Sequence, residues 1–260
     1  MKLGHPIVAL AALACLGLPL AASADNHETP PALVDVWYMV PKAGMENEFY
    51  EAAEAHMKFR KEKGDPREWT AYRPVIGHNL KPVQFRHCCS TWADLDTYRD
   101  ASNEKGLGEH FNETVAPYVD HSHHYIERFD WENSHWPDDA GPHRYFGVTS
   151  WTWKEGAGPE VDEAREKFSQ MAKNEGWGAA GNEWLWGSVI GGKPTLFIVT
   201  GYDNYADMAP PEQSFYAFLV EKMGDAEEVR KTFATFSSGF SSSDYTVWTK
   251  VPELSMGDDE

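Results

Sequence analysis

The chain has 260 residues, and its 23 Lys and Arg against 41 Asp and Glu give a formal net charge of −18. So acidic a chain repels phosphate backbones and anionic headgroups, and no basic cluster offsets this, which excludes nucleic acid as a partner. Aromatic residues are 13% of the chain, 11 of them Trp, enough for well-filled cores or an apolar pocket.

Residues 1–24 read as a signal peptide. Lys2 supplies the positive start, Ile7 to Leu20 a nearly unbroken apolar run, and Ala22-Ser23-Ala24 the small-x-small pattern cut after Ala24. The run is too short to span a bilayer comfortably, and no later stretch suits a membrane helix. The expectation is a periplasmic or secreted protein beginning at Asp25, with no membrane insertion after signal removal.

Residues 25–130 form a first structural unit. A strand over Leu33 to Val40 is broken by Pro41 to Gly44. A helix over Met45 to Lys63 follows, with Phe49, Ala52, His56 and Phe59 on one stripe. Strands Trp69 to Ile76 and Pro82 to Cys89 are joined through Gly77-His78-Asn79. Thr91 is placed to cap a helical stretch from Trp92, interrupted at Gly106 and Gly108 and running to about Val119. His123 to Phe129 make the last strand. Residues 131–143, rich in Asp and Pro, read as a linker.

Residues 144–252 repeat this order. Strands are expected over Tyr145 to Trp153, Trp184 to Ile190, Pro194 to Tyr202 and Asp244 to Val251. A helix starts at Pro159, and a broken helical region runs from Tyr205 to about Phe240. Residues 253–260 read as an acidic tail. The repeat is visible in the letters too: Val34-Asp35-Val36-Trp37 and Val75-Ile76-Gly77 return as Val148-Thr149-Ser150-Trp151 and Val189-Ile190-Gly191, both at an offset of 114 residues. Trp92-Ala93-Asp94-Leu95 matches Tyr205-Ala206-Asp207-Met208 at 113. Matches in order at a near-constant offset establish a duplication.

Strand-helix-strand-strand-helix-strand is the ferredoxin-like arrangement, so the fold class is α+β with two tandem βαββαβ repeats. Leu196-Phe197-Ile198-Val199 is apolar at every position, which implies burial on both faces. The other repeat's sheet is the natural cover, giving an intrachain pseudo-dimeric α/β barrel of about eight strands with room for one small ligand. Once Cys15 leaves with the signal, only Cys88 and Cys89 remain. Neighbours in an extended strand face opposite ways and cannot bridge without a distorted turn, so a disulfide framework is excluded and the redox state of the pair is left open.

The turn Pro41-Lys42-Ala43-Gly44 before an acidic amphipathic helix resembles that of antibiotic-biosynthesis-monooxygenase-like and NIPSNAP-like domains of the dimeric α/β-barrel superfamily. Ser90-Thr91-Trp92-Ala93-Asp94-Leu95 at the second helix is similar to them as well. The resemblance covers both repeats. It implies cofactor-free oxygenation, haem chemistry or plain binding, so the cofactor is either none or haem. Haem-handling members place a histidine after the second helix, where Glu109-His110-Phe111 stands. They also use an asparagine on the first strand and a tryptophan on the second helix, where this chain has no asparagine and Tyr98.

Ten histidines follow the signal, all between His27 and His143, which points to a site in the first repeat. His87 and His110 are the candidate bases for deprotonating a substrate. Trp37, Trp69, Tyr72, Arg73, Trp151, Trp184 and Trp186 are candidates for a pocket taking a small, largely apolar ligand, an aromatic or haem. His110, His121, His123 and His124 could hold copper, zinc or haem iron. His87 with Cys89 offers two ligands to a soft metal. A non-enzymatic envelope binding or assembly module is the competing reading, and a homo-oligomer is left open.

Overall fold

The computed structural model describes residues 32–137, 140–178 and 181–257; the signal segment expected at 1–24 lies outside them. In the first repeat, strands β1 (Leu33–Pro41), β2 (Thr70–Ile76), β3 (Val83–Ser90) and β4 (Val119–His135) alternate with helices α1 (Glu46–Glu62), α2 (Trp92–Glu104) and α3 (Leu107–Thr114). In the second, β5 (Tyr145–Trp153), β6 (Trp184–Ile190), β7 (Thr195–Tyr202) and β8 (Phe240–Lys250) alternate with α4 (Pro159–Asn174), α5 (Phe215–Met223) and α6 (Ala226–Ser238). The strands close into one barrel in the order β1-β3-β2-β8-β5-β7-β6-β4. Two antiparallel junctions, β2 on β8 and β4 on β6, join the repeats, so neither sheet keeps an open edge. This is the expected tandem ferredoxin-like barrel. Among the described residues, no helix is long and apolar enough to cross a membrane.

Local chemistry accounts for the elements. α2 begins with a full capping box: the Asp94 amide donates to Thr91 Oγ1, and the Thr91 amide donates to Asp94 Oδ2. Pro159 takes the first turn of α4, where its missing N–H costs nothing. α1 buries Phe49, Ala53, His56 and Met57 against the outside of the first sheet, and α4 buries Val161, Ala164 and Phe168 against the second. Each helix layer therefore forms its own core on the outer surface of the barrel.

The structure departs from the sequence expectations in several places, beginning with β4 and β8, which start at Val119 and Phe240 rather than at His123 and Asp244. β4 runs on through His135, past the start of the expected linker, because Trp184 and its neighbours pair with it. The chain after β8 does not simply fray: Leu254 and Met256 are buried in the first repeat's helix-side core, and the Met256 amide donates to the Trp69 carbonyl. Gly108 does not interrupt a helix; the break falls at Gly106, whose φ of 67° puts it in the left-handed region. Cys88 and Cys89 are joined by a disulfide. The peptide bond between them is cis, a distorted turn of the kind without which strand neighbours cannot bridge.

α6 ends where it meets α4. A Cβ built on Gly239 would lie 2.7 Å from both Cγ atoms of Val161, a stiff side chain only 1% exposed. Gly239→Ala is therefore expected to lower unfolding free energy by about 1–3 kcal/mol in urea titrations, the usual cost of overpacking. Gly108→Ala, in α3 with open space around it, should instead be neutral or stabilise by up to about 1 kcal/mol.

Candidate functional site

Strand alternation assigns every side chain to the helix layers or to the barrel interior. On β1, Trp37 and Met39 face the helices while Val34 and Tyr38 face inward. On β3, Val83 and Phe85 join the helix-side core, which turns Gln84, Arg86 and Cys88 into the barrel. β4 sends His123, Tyr125, Glu127 and Phe129 inward. The second repeat contributes Phe146 and Val148 from β5, Leu185 and Val189 from β6, and Phe197 and Val199 from β7. Between the sheets lies a cavity of about 1200 Å³.

Its first-repeat wall is polar. Arg86 and Glu127 stand on strands that flank β1, opposite Val36 and Val34 in the ladders, and pair across it. Arg86 Nη1 donates to Glu127 Oε1 at 3.0 Å, and Nη2 donates to Oε2. Arg86 Nη1 also donates to Gln84 Oε1 at 3.3 Å, and Gln84 Nε2 donates to the Tyr125 hydroxyl at 3.3 Å. Burial works against the Arg86 charge, but the Glu127 carboxylate outweighs it and holds the guanidinium above its ordinary value. Burial first, then the Glu127 carboxylate, pushes the Tyr125 phenol well up. Burial also raises Tyr72, with Arg86 only partly offsetting it. Both phenols therefore keep their protons and act as donors at neutral pH. The pair is neutral as a unit, and 21% of the Arg86 side chain stays open.

Of the expected ligand-binding residues, only Tyr72 lines this cavity. Trp69, Trp184 and Trp186 are buried in the helix-side cores, and Trp37 and Trp151 pack against them. The buried indoles are satisfied there: Trp184 Nε1 donates to the Asn133 carbonyl at 2.8 Å, and Trp186 Nε1 to Ser169 Oγ at 3.0 Å. Arg73 points outward and exposed, beside the Tyr50 hydroxyl. The tryptophans fill cores because the helices, not the opposite sheet, cover their side of the strands.

His87 is also outside the cavity; its Nδ1 donates to the Glu68 carbonyl at 2.9 Å. His110 sits between α1 and α3, with its ring stacked on Phe59 at 3.8 Å between centroids. Arg60 Nε donates to His56 Nε2 at 2.8 Å, so neutral His56 carries its proton on Nδ1. That proton points at His110 Nδ1, 2.9 Å away. His110 therefore accepts through Nδ1 and, when neutral, holds its own proton on Nε2. Neither nitrogen offers a free lone pair, so His110 fits neither a haem ligand nor a general base. His121 bonds Asp120, His124 bonds Asp35 and stacks on Trp37, and His123 lies beside Tyr38. His110 is not brought near these three. Among the described residues no group of three or more His, Cys, Asp or Glu converges on a metal position.

Arg86, Glu127, Gln84 and Tyr125 are the site residues that the sequence reading missed. Their signal is the strict alternation of Val83 and Phe85 with Gln84 and Arg86. It was legible as two faces, but the letters did not say which face turned inward. His123, proposed as a metal ligand, instead lines the cavity from the inner face of β4, and His78 and His124 reach the lining as well.

No family model and no curated protein sequence matches the chain. Solved structures do match. A mutant chlorite dismutase from Candidatus Nitrospira defluvii, in complex with cyanide, aligns with a TM-score of 0.50 at 11% identity over 87% of this chain and 93% of that one. An anthrone oxidase-like protein aligns at 0.48 and 12% identity, covering 89% and 96%. A heme-binding protein from Thermus thermophilus aligns at 0.43 and 9%, covering 86% and 92%. The chain has the dimeric α/β-barrel fold, built here from one polypeptide.

Burial, then the charge of Arg60, then His110, lowers the pKa of His56 from 6.5 to about 3. Between those values the unfolded chain binds a proton that the native chain refuses. The contribution is complete above pH about 6.5 and shrinks as pH falls, by up to about 1.4 kcal/mol per unit. Ring nitrogen NMR should show His56 still neutral at pH 4.5, and His56→Gln should flatten the stability profile from pH 6.5 to 4.5.

Proposed function

We propose that this chain is an exported barrel that binds one small, largely apolar molecule in the cavity between its two sheets. The observation that carries this reading is the cavity of about 1200 Å³, lined by Gln84, Arg86, Tyr125 and Glu127 on the first-repeat side and mainly by Phe146, Val148, Phe197 and Val199, with Asp244 and Thr246, on the second. A concave, mostly apolar space with a few convergent polar groups is the usual form of a small-molecule site. A plain assembly module would have filled this space; Trp131, Trp136 and Trp248 reach its lining and still leave it open, while Trp69, Trp184 and Trp186 are spent in the helix layers.

A second reading, oxidation of the bound molecule, is favoured by His123. Its ring lines the cavity, and neither nitrogen is hydrogen-bonded among the described residues. It takes over the role of base that His87 and His110 do not fit. Under this reading His123→Ala abolishes turnover and leaves ligand binding intact.

Nile red, a neutral apolar dye, tests the binding reading directly. Its emission should rise and shift to the blue with the purified protein. Val148→Trp, which places an indole in the cavity, should weaken that response at least tenfold while leaving the melting temperature within a few degrees. Equal dye binding by both proteins would remove the cavity from consideration. Export rests on residues 1–24, and intact mass of the protein recovered from a bacterial periplasmic extract should begin at Asp25.

A further inference from the structure

The two repeats are equivalent strand for strand, but their inner faces are not. Val34 corresponds to Val148 and Val36 to Ser150. The ladders then give each partner its counterpart. Val36 lies opposite Arg86 and Tyr125, and Ser150 lies opposite Phe197 and Asp244. Val34 lies opposite Glu127, and Val148 lies opposite Thr246. Thus Arg86, Tyr125 and Glu127 in one half are matched by Phe197, Asp244 and Thr246 in the other. A symmetric barrel would offer two like half-sites; this one sets the Arg86–Glu127 wall against one that has Phe197 in the arginine's place, with its carboxylate, Asp244, taken by His78 and Thr246.

The polar wall has a definite hydrogen-bonding sense. Both Glu127 oxygens are taken by Arg86, and the Gln84 carbonyl oxygen is taken by Arg86 as well. Gln84 donates to Tyr125, whose own O–H remains to be given. The Tyr72 hydroxyl has no hydrogen-bond partner among the described residues; its ring meets Phe146 edge-on. What the wall has left over is the O–H donors of Tyr72 and Tyr125 and the ring of His123, while the charges of Arg86 and Glu127 cancel. An incoming anion would lose its water for an arginine already neutralised, beneath a protein of net charge −18. A neutral acceptor pays no such desolvation and satisfies donors that would otherwise face an apolar cavity.

Resting on the cavity reading above, we infer that the barrel takes one neutral ligand per chain. It lies across the axis relating the repeats, with a hydrogen-bond-accepting oxygen toward Tyr72 and Tyr125 and its apolar body against Phe146, Val189 and Phe197.

Three molecules of one shape separate the possibilities: benzophenone, diphenylmethane and diphenylacetate, measured by equilibrium dialysis at about 150 mM salt. Benzophenone should bind with one equivalent per chain and about tenfold more tightly than diphenylmethane, the worth of one to two net hydrogen bonds. Diphenylacetate should be the weakest. Tyr72→Phe, and independently Tyr125→Phe, should each shrink the ketone preference severalfold while leaving diphenylmethane affinity unchanged, which a folding defect would not do. Equal affinity for ketone and hydrocarbon, tightest binding of the carboxylate, or two equivalents per chain would each overturn the inference while leaving a cavity that binds. If none of the three binds, or if Val148→Trp leaves binding unaltered, the cavity reading itself fails.

Discussion

Every strand of a closed antiparallel sheet must send alternate side chains into the barrel and out of it, and no side chain can do both. Here the outward positions are claimed by the helix layers, which need apolar partners: Val83 and Phe85 on β3, Trp184 and Trp186 on β6. Stability is therefore supplied mainly outside the barrel. The inner face is released from that duty and can carry Arg86 and Glu127, a buried pair whose desolvation cost has to be offset by excellent geometry. Their two bonds across β1, over the small side chains of Val34 and Val36, provide it.

The same constraint separates the chemistry of the two faces. Outside the first sheet a second polar network links His110, His56, Arg60 and Asp65, with Tyr98 also donating to Asp65. Arg67 pairs with Asp35, and His124 completes that cluster. These groups bond one another and pin α1, α2 and α3 to the sheet. The histidine excess of the first repeat is thus largely structural. His123 is the member that alternation turns toward the cavity.

Much of the architecture was legible in the letters. The offset of 114 residues announced two like units, and the unbroken apolar run Leu196 to Val199 required cover on both faces, which the barrel provides with Leu196 outside and Phe197 and Val199 inside. The site was much less legible. Tryptophans read as pocket walls because sequence gives the parity of a strand but not which parity faces the helices. Arg86 and Glu127 are 41 residues apart and sit on strands that never touch, so no local pattern links them. His110 looked reactive until its neighbour His56 fixed where its proton sits. The Cys88–Cys89 bridge was left open because the letters do not show the distorted turn that neighbours need.

Methyl carbon NMR of the valine and leucine side chains, with and without a bound neutral apolar molecule, measures directly where a ligand goes. The account predicts shifts at Val148, Leu185, Val189 and Val199, which line the space between the sheets, with little change at Val161, Leu219 and Val229 beneath the helices. Shifts confined to the helix-side methyls would contradict it and move the site to the outside of the barrel.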